Sequence, residues 1–376
     1  MKKQNYFSLV LTVLFTLAIT AVGISQDKIT KSFNVKKGEN LSVKVSGDVK
    51  VASWNKDEVY VEVMGLDQDD AEDLRMKQEG NSISIQLKSH DGRASFSIKT
   101  PEQFNLDIKT SGGDLLCSGK FMGNITGTTA GGDVLVQNVD GNVVLTTAGG
   151  DVKTGDVTGD VKLTTAGGDI MAGNIGGEGK LSTAGGDIVV ASANKTISLA
   201  TAGGDIRINN VGGEVKASTS GGDITVGTVK GAAKLNTSGG DIKLSGANGK
   251  ISTNTSGGDI KLEKLYGSVS ANTSGGEVYV ELIPDGSDDS NLSSSGGNIK
   301  LLIPENAKAS IEAVIEIHSK KDLKGTYKVI SDFKFDSYVT DEDEREIRAK
   351  IDLNGGGKLI KLETVNSNIE VKKLSK

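Results

Sequence analysis

The stretch Thr183-Ala-Gly-Gly-Asp-Ile188 decides the fold, because the chain repeats it across residues 110–298 as Thr-(Ala/Ser)-Gly-Gly-Asp-Ile. The acidic member falls at Asp114, Asp133, Asp151, Asp169, Asp187, Asp205, Asp223, Asp241 and Asp259, then as Glu277. From Asp133 to Glu277 every step is 18 residues. A fixed period of this size predicts a solenoid, with each repeat forming one coil stacked on the last. Counting from the acid as zero, position one is Ile or Val throughout, from Val134 to Val278. Positions three, six, ten and twelve are mostly apolar, as in Val136, Val139, Val143 and Leu145. Position eight is Gly except at Lys195, and position fourteen is Thr from Thr110 to Thr273, with Ser294 closing the series.

That list predicts two short strands per coil, one after Gly-Gly-Asp and one after the position-eight glycine. Glycines mark places where the chain turns with positive φ or packs closely. Identical side chains stack at about 4.8 Å, so nine to eleven coils give a rod of roughly 45–55 Å. The Ile, Val and Leu columns form a narrow core, and the Thr column faces inward or lines a corner.

Outward from the repeat the pattern changes. Period-two segments such as Leu41-Ser-Val-Lys-Val45, Val59-Tyr-Val-Glu-Val63 and Ile83-Ser-Ile-Gln-Leu87 read as strands of an N-terminal β cap over residues 26–109. Residues 69–77 read as a short helix. The solenoid occupies 110–300, and residues 301–376 form a C-terminal β cap with one or two degenerate coils. Within that cap, Ser310 to His318 is a strand and Asp341-Glu-Asp-Glu-Arg-Glu346 a solvated loop. Caps are expected because open stack ends aggregate unless covered. The fold class is therefore all-β, a β-solenoid with strand-rich ends.

Composition narrows the function. Among 376 residues there are 50 Gly, 3 Pro and only 4% aromatics, which suits a thin core of small β-branched side chains. A net charge of −6 with interspersed signs gives no footprint for nucleic acid. Residues 1–25 read as a secretory signal: Lys2 and Lys3, an apolar run from Leu9 to Val22, and small residues Ala21, Gly23 and Ser25 before Gln26. An uncleaved membrane anchor is the alternative for this run. No second apolar stretch of spanning length follows, so the mature chain is expected in the periplasm, at the cell surface or outside the cell. Cys117 is the only cysteine and reads as a small buried apolar residue.

Candidate chemistry is sparse. Ten carboxylates in register repel by about 1 kcal/mol per adjacent pair even in water, so something offsets them. Bound Ca²⁺ is one possibility. Hydrogen bonds from turn N–H groups, with Lys153, Arg207, Lys243 and Lys261 as screening cations, are the other and the preferred reading. Lys162, Lys180, Lys216 and Lys234 share position eleven, a stripe that attracts polyanions or is simply solvated. His90 and His318 are the only histidines, both outside the repeats, and coils of constant length leave no loops to wall a catalytic cleft. Trp54, the sole tryptophan, reads as a cap-core residue. No catalytic, cofactor-binding or metal residues are assigned, and no cofactor is expected.

Three stretches resemble a known family: Gly47-Asp-Val-Lys-Val51 followed by Trp54-Asn-Lys-Asp-Glu-Val59, the Thr-(Ala/Ser)-Gly-Gly-Asp-Ile ladder, and the closing Asn354-Gly-Gly-Gly-Lys-Leu-Ile-Lys-Leu-Glu-Thr-Val-Asn-Ser-Asn-Ile369. The chain resembles the bacterial putative-adhesin repeat domain, a domain of unknown function with a toast-rack β-solenoid. The resemblance implies a non-enzymatic scaffold that binds a protein or polysaccharide at the cell envelope. A periplasmic structural or envelope-stress regulatory protein is the alternative, and a polysaccharide-active β-helix enzyme ranks below both.

Overall fold

A computed structural model describes residues 28–88, 94–318 and 325–374. The expected signal segment and His90 lie outside the described residues.

The repeats form a β-solenoid. Ile206–Val211 pairs in parallel with Ile188–Ala193 on one side and Ile224–Val229 on the other, always with the residue 18 positions away. Val215–Ser218 does the same on the second wall, between Ile197–Ala200 and Ala233–Asn236. Positions one, three, six, ten and twelve point inward: in the Asp205 coil, Ile206, Ile208, Val211, Val215 and Ala217 are all buried. Early coils carry a third short ladder, Phe121–Met122 beside Val139–Asp140, continued by bridges from Val139 to Val157 and from Val157 to Ile175. Later coils run unbroken instead, as Ile242–Asn254 and Ile260–Thr273.

The turn sequence follows from close approach. A Cβ on the second glycine of each Gly-Gly, Gly204 for example, would run into the carbonyl of Gly186 in the coil below. The first glycine is less confined, since a Cβ on Gly203 would sit 3.0 Å from the Gly185 oxygen. Crowding, not positive φ, keeps the second position free of a side chain. Each column threonine is buried and spans two coils. Thr201 Oγ1 donates to the Gly186 carbonyl at 2.8 Å and accepts from the Gly204 N–H at 3.3 Å. The column continues to Ser294 and Thr364.

Both ends are threaded out of sequence order. Asn40–Val45 lies between Ser82–Gln86 and Asn105–Thr110, parallel to both. Asp48–Trp54 likewise lies between Ser95–Pro101 and Leu115–Ser118. The rung nearest the N-terminus is thus second in the stack. At the other end, Leu359–Val365 is inserted between Ser290–Ser294 and Ala309–Glu316. Ile369–Lys373 is inserted between Ile299–Ile303 and Val329–Ser331.

Antiparallel strands then cover the outer rungs. Glu58–Met64 and then Lys28–Asn34 extend one wall at the first end, while Arg75–Glu79 extends the other. Glu346–Leu353 and then Ser337–Asp341 do so at the second end. One expectation changes here. The helix is confined to Gln68–Asp73, capped by the Asp67 carboxylate on the Asp70 N–H, and Arg75–Glu79 is strand because it pairs with Ser82–Gln86. The acidic stretch 341–346 is solvated as expected, as the turn of a hairpin between Ser337–Asp341, which shows no alternation, and Glu346–Leu353, whose period two in Ile347, Ala349, Ile351 and Leu353 the sequence reading passed over.

Candidate binding surfaces

The acidic column is a hydrogen-bond ladder. Oδ1 of each aspartate accepts the backbone N–H of the acidic residue one coil on, from Asp114 to Asp133 at 2.8 Å through to Asp259 and Glu277 at 2.7 Å. It begins one rung earlier, with Asp48 accepting from the Asp114 N–H, and ends with Asn298 accepting from the Asn368 N–H. Each bond sets an amide dipole against a carboxylate and counters the repulsion along the column. At Asp151 the Asp169 N–H, with Lys153 at 3.1 Å, holds the carboxyl below its usual range. Among the described residues no group of three or more His, Cys, Asp or Glu side chains is arranged to hold a metal ion.

Beside the acids, position two presents an outward column of mixed character. Lys153, Arg207, Lys243 and Lys261 share it with exposed Leu135, Met171 and Val189. Arg207 pairs with Asp205 at 2.6 Å, whereas Lys261 pairs with Glu263 at 2.7 Å and lies 5.7 Å from the Tyr279 ring centre. A shallow groove runs here past Asp241, Lys243, Asp259, Lys261 and Tyr279. Burial, with help from Glu281, pushes the Tyr279 phenol up to about 12.

On the opposite wall the four lysines are exposed and in register, Lys162 beside Lys180 and Lys216 beside Lys234, with Ser198 between the pairs. None makes an ion pair among the described residues. Two positions further on lies a column that the sequence reading missed. The side-chain amides of Asn254, Asn272 and Asn291 each donate to the asparagine one rung below, beginning at Asn236, over 2.9–3.2 Å. The 18-residue step from Asn236 to Asn254 to Asn272 was its signal. A third polar column, Asn138, Asp156 and Asn174, repeats the N–H-to-side-chain ladder of the acids.

Elsewhere the singled-out residues stand apart. Cys117 is buried and its thiol is pushed up to about 12 by desolvation. His318 is exposed and its carbonyl accepts from Arg345. Trp54 departs from the cap-core expectation: it is half-buried, donates to the Glu58 carbonyl at 2.8 Å, and lies beneath Lys56 and Lys99. It ends its strand opposite Pro101, with Lys99 two residues back on the paired strand and Lys56 in the bend that follows. No described helix is long and apolar enough to cross a membrane.

Residues 38–253 and 213–320 match the family described as Toastrack DUF4097. The chain belongs to this Toastrack family. Similar solved structures include a putative adhesin from Bacteroides fragilis NCTC 9343, 14% identical, covering 94% of this chain and 100% of its own, with a TM-score of 0.22. Putative adhesins from Parabacteroides distasonis ATCC 8503 and Parabacteroides merdae ATCC 43184 are 13% and 12% identical. They cover 73% and 74% of this chain and 97% of their own, with TM-scores of 0.28 and 0.24. No curated protein matches the chain. The Toastrack assignment accounts for the stack and assigns chemistry to none of its columns.

Proposed function

We propose that this Toastrack protein is an exported, non-enzymatic binding scaffold of the cell envelope that presents flat, evenly spaced side-chain columns to a protein or polysaccharide. The observation that carries the reading is the outward register itself. Lys162, Lys180, Lys216 and Lys234 stand on one wall while the acid and cation columns stand on the other, repeated on coils of constant length. A surface of this kind meets an extended partner at many weak, equally spaced points, as repeat proteins do. Catalysis asks for two groups in unequal surroundings set to opposed roles, whereas the column's carboxylates share one backbone role, accepting the next acid's N–H.

The test is protease shaving of intact cells, followed with an antibody against residues 110–300. Cleavage on intact cells is the expected result and places the rod where it meets external partners. Protection until the outer envelope is opened would replace this account with a periplasmic structural or regulatory role.

A further inference from the structure

At the ends of the two walls, four strands pair on one side only among the described residues: Lys28–Asn34, Arg75–Glu79, Val329–Ser331 and Ser337–Asp341. Unpaired edges template new pairing unless charge or shortness blunts them. Lys28 and Lys31 mark the first, Arg75 and Lys77 the second, and the third is three residues long. Ser337–Asp341 has no such guard. It holds no lysine, arginine or proline, its Tyr-Val-Thr centre favours strand, and its first four residues are exposed, Val339 at 53%.

This edge is also held ready. Its far side is fixed by antiparallel pairing to Glu346–Leu353, with Val339 opposite Arg348. Tyr338 meets Phe335 edge to face at 5.3 Å. The turn that follows is acidic, and among the described residues Glu342, Asp343 and Glu344 make no ion pair, although Glu344 is near enough to Arg348 to act on its charge. Of the described cations nearby, Arg345 donates to the His318 carbonyl and Arg348 pairs with Glu346 and Glu312, while Lys350, opposite Ser337, makes no ion pair.

We propose that Ser337–Asp341 is a docking edge that receives an extended segment of a partner protein by strand addition, the segment being β-branched in its centre and basic at its flanks. Main-chain hydrogen bonds supply the pairing, and the three turn carboxylates select the flanks. A second copy of this chain is the poorer occupant. Pairing two such edges brings each acidic turn towards the other copy's Asp336 or acidic turn, at about 1 kcal/mol of repulsion per close pair.

The probe is a labelled peptide, Lys-Thr-Val-Thr-Val-Thr-Lys, titrated with the exported protein and followed by fluorescence anisotropy. Saturable binding is expected, at least about tenfold weaker for the Glu-flanked peptide and for Val339→Lys, and weaker again near 0.5 M salt. Thermal melts check that Val339→Lys is folded. A Glu342→Gln/Asp343→Asn/Glu344→Gln variant, which leaves the strand intact, is expected to lose the preference for basic flanks. Absence of binding at roughly 1 mM peptide, or equal binding by wild type and a folded Val339→Lys, overturns the proposal. A concentration-dependent dimer that forms without peptide and is abolished by Val339→Lys overturns it in favour of self-pairing.

Discussion

Thr201 and Thr154 are both buried threonines in the stack, yet their hydroxyls are in opposite circumstances. Thr201 makes two hydrogen bonds across coils, whereas the Thr154 and Thr253 hydroxyls have no partner among the described residues. Thr201→Val should therefore cost about 1–3 kcal/mol, because it strands a buried carbonyl and N–H. Thr154→Val and Thr253→Val should be neutral or stabilising. Urea midpoints of the three variants, compared with wild type, check both signs. A similar contrast separates adjacent glycines: Gly204→Ala should destabilise by about 1–3 kcal/mol, and Gly203→Ala by less. The period alone marked the Thr and Gly columns as special. It could not say that Thr154, at position three, lacks a partner, since that depends on what lies across the core.

Also at this scale, the carboxyl of Asp151 is held down by the Asp169 N–H and Lys153. A depressed folded-state value means that its contribution is present above the unfolded pKa and is lost as pH falls through the folded one. Acid titration of stability is the check, with Asp151→Asn expected to flatten the loss below about pH 4. Because Asn298 already accepts an N–H in this column, Asp205→Asn should preserve the ladder while Asp205→Ala breaks it. Millimolar Ca²⁺ should leave the melting temperature unmoved. A rise of many degrees would make the column a cation site.

Among the elements, the interleaved rungs matter most. Leu359–Val365 and Ile369–Lys373 fill the space between the coil at 290–303 and the outer strands Ala309–Glu316 and Val329–Ser331. Truncation after Leu353 would leave those outer strands a full rung away from any parallel partner. The expected outcome is selective proteolysis of residues 301–353 with the coils below intact; a trypsin time course followed by mass spectrometry reads it. The sequence made the strands themselves legible, because period two survives in Leu41-Ser-Val and Asn368-Ile-Glu-Val. The order of stacking was not legible. Residues 48–54 and 115–118 pair across more than sixty positions with another rung between them in sequence, and no local pattern records such a skip. Edge strands such as Ser337–Asp341 were hidden for a related reason, since a strand exposed on both faces has no alternation to show.

For the whole molecule, one inward stripe runs from Phe33 to Val371 as a continuous buried cluster. Rods of this kind gain stability rung by rung through nearest-neighbour contacts, so damage at the centre should split the stack. Ile206→Asp, which places a carboxylate at a fully buried position, is expected to cost more than about 3 kcal/mol and to replace one thermal transition by two or none. A register-locked stack of 18-residue coils should tolerate deletion in units of its period and in no other. Removing residues 188–223 excises two coils and rejoins Asp187 to Ile224, restoring the Gly-Gly-Asp-Ile turn. Small-angle scattering of that protein should show a folded rod shorter by about 10 Å, with a cooperative melt close to wild type. Loss of cooperative folding in this in-register deletion, or a rod of unchanged length, would contradict the account.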